Sequence, residues 1–144
     1  MTATAGYRRF TMSQHEDLIG FDGLYGLVID EASPAVVRAH VDVRDHHKQP
    51  FGIVHGGVLA SMAEVMASIG TWLGVKDDGN AAMGLSNQTS FLRPIGGGTI
   101  HAVALPRHEG RTTWLWEVEL TDDAGKLCAL VRMTIAVRPM PQQS

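Results

Sequence analysis

The chain has 144 residues, 44% hydrophobic and 19% charged, which suits a single domain with its own core and argues against wholesale disorder. Twelve Lys and Arg against fifteen Asp and Glu give a net charge of −3, which argues against a basic nucleic-acid-binding surface. The one cysteine, Cys128, leaves no internal disulfide framework and no multi-cysteine zinc site.

Residues 1–23 read as a polar arm, loose or briefly helical. The first ten residues hold no apolar run of the kind a secretory signal needs, so a soluble cytoplasmic protein is expected. Residues 24–138 form the folded domain and 139–144 a frayed tail. Residues 24–29 and 36–43 are predicted strands. In the second, Val37, Ala39, Val41 and Val43 alternate with Arg38, His40 and Asp42, the period of a strand with one wet face. A loop over 44–53 leads into one long helix, from about His55–Gly57 to about Gly74, roughly 25 Å in length. Four more strands are expected over 83–92, 99–107, 112–120 and 127–137. Short glycine-bearing turns separate them, which points to an antiparallel meander. The fold class is α+β, with a sheet of six or so strands wrapped around the helix.

The charge-poor stretch 51–75 carries Glu64 and five glycines, so it is read as a core helix and not a membrane span. Leu59, Met62, Met66, Ile69 and Leu73 form an apolar stripe at helical period. The opposite side, Gly57, Ala60, Ser61, Glu64, Ser68 and Thr71, is small or weakly polar, so both faces suit burial and the second calls for another subunit. Glu64 stands out as a carboxylate on an otherwise uncharged helix; a solvated flank is the plain alternative to a functional role. Ser68, one turn on, is spaced to reach it or a water it holds. At the helix start, Gly56 and Gly57 leave backbone amides open to an anion or an oxyanion, although a tight turn alone would also explain them.

Gln49-Pro50-Phe51-Gly52-Ile53-Val54-His55-Gly56-Gly57, followed by Glu64 and Ser68, resembles the signature of hotdog-fold acyl-CoA thioesterases. The branch it resembles holds the phenylacetate-pathway enzyme (PaaI), the Glu-dependent 4-hydroxybenzoyl-CoA thioesterase and the enterobactin proofreading thioesterase. The similarity runs from about Leu24 to Val137 and takes in residues 87–94 and the Gly110-Arg111 turn. It implies a homodimer, commonly paired again into a tetramer, with active sites between subunits. Gly56 or Gly57 would then bind the thioester carbonyl, and Gln49 and His55 would orient the thioester and the departing thiolate. Glu64 of the facing subunit would attack or activate water, and Ser68 would hold that water. Phe91 and Leu92 stand where the enterobactin-type enzymes have histidines, which implies a more apolar acyl group.

Met83, with Met62 and Met66, is a candidate pocket lining, core packing being the alternative. Asn87 marks a possible meeting of strand and pocket, unless it serves a side-chain-to-backbone bond. Arg93 and Arg111, with Arg107 and His108, are candidates for the coenzyme A phosphates, against the alternative of solvated surface charge. Coenzyme A enters as part of the substrate, and neither a cofactor nor a metal is expected. His40 and His101 read as structural, and the adjacent His46 and His47 would diverge along a strand. The absence of a Gly-x-Ser-x-Gly elbow argues against a serine hydrolase. Two other readings compete with the thioesterase. One is a non-catalytic acyl-CoA-binding hotdog module, although there is no room for a helix-turn-helix before Leu24. The other is a hydratase, which would use an Asp/His pair instead.

Overall fold

The computed structural model describes residues 18–141; most of the expected arm and the end of the tail lie outside them. The elements run α1 (Phe21–Leu24), β1 (Val28–Ala32), β2 (Val37–Asp42), α2 (Gly56–Val75), β3 (Asn80–Phe91), β4 (Thr99–Glu109), β5 (Thr113–Thr121) and β6 (Leu127–Pro139). Short 3-10 turns at Asp45–His47 and Lys76–Asp78 flank α2. All six strands form one antiparallel sheet in the order β1-β2-β4-β5-β6-β3.

The sheet and α2 bury one shared core. Leu59, Met62, Ala63, Met66 and Ala67 turn inward from α2. They meet Ile100, Trp116, Val118, Leu120, Val131, Met133 and Ile135 from β4, β5 and β6. Met62 and Met66 are fully buried, each removal from water contributing about 1.5–3 kcal/mol. They are core, and do not line a pocket with Met83, which is half exposed on β3. By length and composition α2 would suffice to cross a membrane, but half of that stretch is buried inside this domain.

Three expectations need correction. The first strand begins later than the sequence pattern predicts: Leu24 ends a short helix, the chain turns at Gly26 with φ +80°, and pairing starts at Val28. The four-strand meander is three strands. β4, β5 and β6 are joined by hairpins, while β3 pairs only with β6, at the sheet edge. The link between β3 and β4 is too long for a tight turn and is anchored at both ends. Leu92 and Arg93 donate to the Cys128 carbonyl, and Ile95 is buried and accepts from Val54 N. Thr71 does not belong to the small second face. It is fully buried, with Oγ1 donating to the Ala67 carbonyl and accepting from Trp116 Nε1, each at 2.8 Å.

Candidate active site

The loop from β2 delivers Gln49 and His55 to the start of α2. Gln49 opens a turn closed by Gly52 N to Gln49 O at 2.9 Å, with Gly52 at φ +82°. Its Oε1 accepts the Phe51 amide at 2.5 Å, so the side-chain NH₂ is the half left to donate outward. His55 is the N-cap of α2 in extended backbone conformation (φ −62°, ψ 131°), and its Nδ1 accepts Gly57 N–H at 2.9 Å. The ring proton therefore belongs on Nε2, at an exposed side chain.

That cap makes the two glycines differ. The Gly57 amide is taken by His55, whereas the Gly56 amide has no hydrogen-bond partner among the described residues. Gly56 is also tightly approached. A Cβ there would lie 2.7 Å from Cε1 and Cζ of Phe91, whose ring rests on the helix start while 59% exposed. Phe91 and the neighbouring exposed Leu92 thus form an apolar wall beside a free amide.

Glu64 lies two turns further along α2 and is exposed. Its carboxylate rests against its own edge strand, where a Cβ on Gly84 would lie 3.5 Å from Oε1. The strand bulges between Gly84 and Ser86 at that point. Asn87 pins the preceding turn of α2. Its Nδ2 donates to the Ala60 carbonyl at 3.0 Å, and its Oδ1 accepts from Thr89 at 2.6 Å, so the side-chain-to-backbone alternative holds for this residue. Ser68 is half-buried, and no hydrogen bond joins it to Glu64.

Two residues near the site are not among the candidates the sequence offers: Tyr25, read as part of a strand, and His47, expected on a strand but found in the 3-10 turn Asp45–His47. Tyr25 is 6% exposed, and its hydroxyl donates to Asp22 Oδ1 at 3.2 Å. Burial, and then the charges of Asp22 and Glu64, push its phenol well above the usual tyrosine range. Burial also raises the Asp22 carboxyl, partly offset by the Tyr25 hydrogen bond. The second is His47, buried beneath the loop. Tyr25 was hidden inside an apolar run read as strand, and His47 by its neighbour His46.

The arginine candidates part company. The register puts Phe91, Ala129 and Thr121 at one end of the sheet and Asn80, Thr113 and Pro139 at the other. Arg93 follows β3 at the end of the helix start, and Arg111 sits in the β4–β5 turn at the opposite end. Arg107 is paired with Glu117 at 3.0 Å. His40 and His101 each bind one carboxylate, Asp30 at 2.8 Å and Asp123 at 2.9 Å. Among the described residues no three His, Cys, Asp or Glu side chains gather as a metal would require.

A helix start with a free amide, a lone carboxylate two turns on and a single wrapped sheet define a hotdog thioester hydrolase. The chain belongs to the thioesterase superfamily, whose pattern matches residues 51–129. The Mycobacterium tuberculosis protein Rv1847, which bears the name of an esterase, is 39% identical over 113 residues, 77% of this chain and 81% of its own. Its solved structure superposes with a TM-score of 0.81 over 85% of this chain and 98% of that one. The proofreading thioesterase EntH of Klebsiella pneumoniae is 30% identical over 112 residues, 78% of this chain and 81% of its own. The thioesterase HI1161 of Haemophilus influenzae superposes with a TM-score of 0.79 at 29% identity, over 85% of each chain.

Proposed function

We propose that this protein hydrolyses the thioester of an apolar acyl-CoA, aryl or aliphatic, at sites shared between two copies of the chain, within the branch that includes PaaI. The observation that carries this reading is the free Gly56 amide and the exposed Glu64 on one helix. Eight residues of α-helix separate them by ~12 Å. A reacting carbonyl must lie about 3 Å from an oxyanion donor and about 3–3.5 Å from its nucleophile, and that ~12 Å separation favours drawing the two groups from different chains. Two copies facing each other can supply both, and the second face of α2, uncharged apart from Glu64, together with the unpaired edge of β3 favours that pairing.

In this reading the Gly56 N–H and the helix dipole stabilise the oxyanion as the carbonyl becomes tetrahedral. Gln49 NH₂ and His55 Nε2–H orient the thioester and the departing sulfur. The partner's copy of Glu64 either attacks the carbonyl carbon or takes a proton from the attacking water, whose oxygen Ser68 helps to hold. The C–S bond then breaks and coenzyme A leaves as its thiolate; the water route gives the free acid at once, whereas direct attack leaves a mixed anhydride on Glu64 that water then hydrolyses to the free acid and the Glu64 carboxylate. In a single turnover in H₂¹⁸O, an unlabelled first product shows the anhydride route, with water attacking the Glu64 carboxyl carbon so that a Glu64 oxygen leaves with the acid. The wall of Phe91 and Leu92 supports an apolar acyl group. Arg93, at the same end, suits the coenzyme A phosphates; Arg111 would reach the same ligand only from another subunit. Asn87 holds the Ala60 carbonyl, and the half-exposed Met83 is placed to contact the acyl group.

Thiol release over a panel of aryl, short, medium and long acyl-CoAs tests the reading. Glu64→Ala should lower kcat on the preferred ester by about 10² or more while the protein stays folded. Gly56→Ala and Gly56→Pro press the same Cβ against Phe91, but only proline removes the N–H, and proline is tolerated at the first helical position. Loss of one such donor should cost a further ~10²–10³ in kcat for the proline variant. Wild-type binding of acyl-CoA without thiol release would instead identify a non-catalytic module.

A further inference from the structure

The loop that carries Gln49 and His55 has little regular structure: one 3-10 turn, Asp45–His47, and one isolated bridge, Lys48–Val54. It is held from below by His47. This side chain is 3% exposed, and His47 and Thr71 are the buried polar residues among those described. Its Nδ1 accepts the Arg44 amide at 2.8 Å, and its Nε2 contacts the Tyr25 carbonyl at 2.7 Å. A peptide N–H only donates and a carbonyl only accepts, so the ring proton sits on Nε2 and both nitrogens are fully used. The His47 carbonyl in turn accepts the His55 amide at 2.8 Å.

Three segments therefore meet at one residue. The first is the exit from β2, at Arg44. The second is the N-cap of α2, whose imidazole takes Gly57 N–H. The third is the turn at Tyr25, a residue close enough to Glu64 to feel its charge. We propose that His47 is a positioning residue for catalysis, fixing the Gly56 amide and the His55 imidazole in register with the Tyr25 turn beside Glu64. The proposal rests on the thioesterase reading above. In a dimer with shared sites, each His47 joins the amide end of one site to the carboxylate end of the other. Displacing the amide by even ~1 Å should cost up to about 10²-fold in rate, with little effect on substrate held elsewhere.

Partial mimics test the clamp. In His47→Asn the side-chain oxygen can accept the Arg44 amide, and in His47→Gln the side-chain nitrogen can donate to the Tyr25 carbonyl; His47→Leu can do neither. On the preferred acyl-CoA, the leucine variant should lose about 10–10² in kcat with KM within about threefold, and asparagine or glutamine should restore part of the loss. A kcat per folded molecule equal to wild type in all three, or a rise in KM alone, overturns the proposal. If the leucine variant does not fold, the other two decide: reduced kcat at wild-type KM supports it, and wild-type kcat overturns it. Amide exchange gives a readout that needs no activity. The His55 and Gly57 N–H groups should exchange about tenfold faster or more in His47→Gln or His47→Leu than in wild type, and unchanged exchange overturns the proposal. A wild-type protein that cleaves no acyl-CoA would sink the thioesterase reading, leaving the exchange result to judge the clamp alone.

Discussion

Asp22 accepts the Tyr25 hydroxyl, and the Tyr25 phenol also feels the charge of Glu64. Burial raises the Asp22 carboxyl, so the folded state holds its proton more tightly than the unfolded chain does. The stability Asp22 contributes is then fully present below the ordinary carboxylate pKa of 3.8 and is lost as pH rises through the higher folded value. Asp22→Asn keeps an oxygen to accept the Tyr25 hydroxyl and carries no charge. Its Tm should match wild type at pH 3 and exceed it at pH 7. Thermal melts at the two pH values check this; a variant less stable at pH 7 than at pH 3, relative to wild type, would mean that the Asp22 anion is a net asset. Glu64 itself was legible in the sequence because charge is rare on α2. Tyr25 was not, since a buried hydroxyl beside a carboxylate depends on a turn at Gly26 that no periodicity reports.

Packing of α2 on the sheet turns on one contact between a small residue and a large one. A Cβ on Gly70 would lie 2.4 Å from Cη2 and 2.5 Å from Cζ2 of Trp116, and 3.1 Å from Val37 Cγ2. The Trp116 ring is fully buried and tied through Nε1 to Thr71, so it has little room to give way. Alanine gains about 1 kcal/mol over glycine in helix propensity, but overpacking of a rigid core costs typically 1–3 kcal/mol. Gly70→Ala should therefore be destabilising, lowering Tm by several degrees in a calorimetric or circular-dichroism melt, and an increase would show the indole to be mobile. The helix and the β4-β5-β6 hairpins were readable because local turns and periods encode them. The place of β3 was not. Its pairing with β6 joins residues 80–91 to 129–139 across the whole meander, and only the buried Ile95 in the connecting link hints at the crossing. Thr71 was misplaced for a related reason: a hydroxyl at the boundary of a helical stripe goes inward once an indole N–H needs an acceptor.

Among the described residues the sheet ends in two edge strands, β1 and β3. β3 carries Met83 at 50% and Leu85 at 58% exposed along its unpaired outer edge, next to the flank of α2 whose one charge is Glu64. Edges of this kind are normally covered or charged, which favours a second copy as the cover. If that copy also completes the active site, Glu64→Ala and Gly56→Pro chains are each inactive alone for different reasons. The first retains the amide and the second retains the carboxylate. Unfolded together and refolded as a mixture, half of the dimers combine one of each, and one of the two sites in such a dimer regains both groups. Activity should then return to roughly a quarter of wild type per dimer. Sites built within single chains would give no recovery, because every chain in the mixture lacks one of the two groups. Leu85→Asp supplies the complementary perturbation: a charge on the shared edge should yield a folded monomer by sedimentation with thiol release reduced about 10²-fold or more. A monomeric Leu85→Asp protein with full activity would return Glu64 and Gly56 to a single chain, against the ~12 Å that helix geometry sets between them.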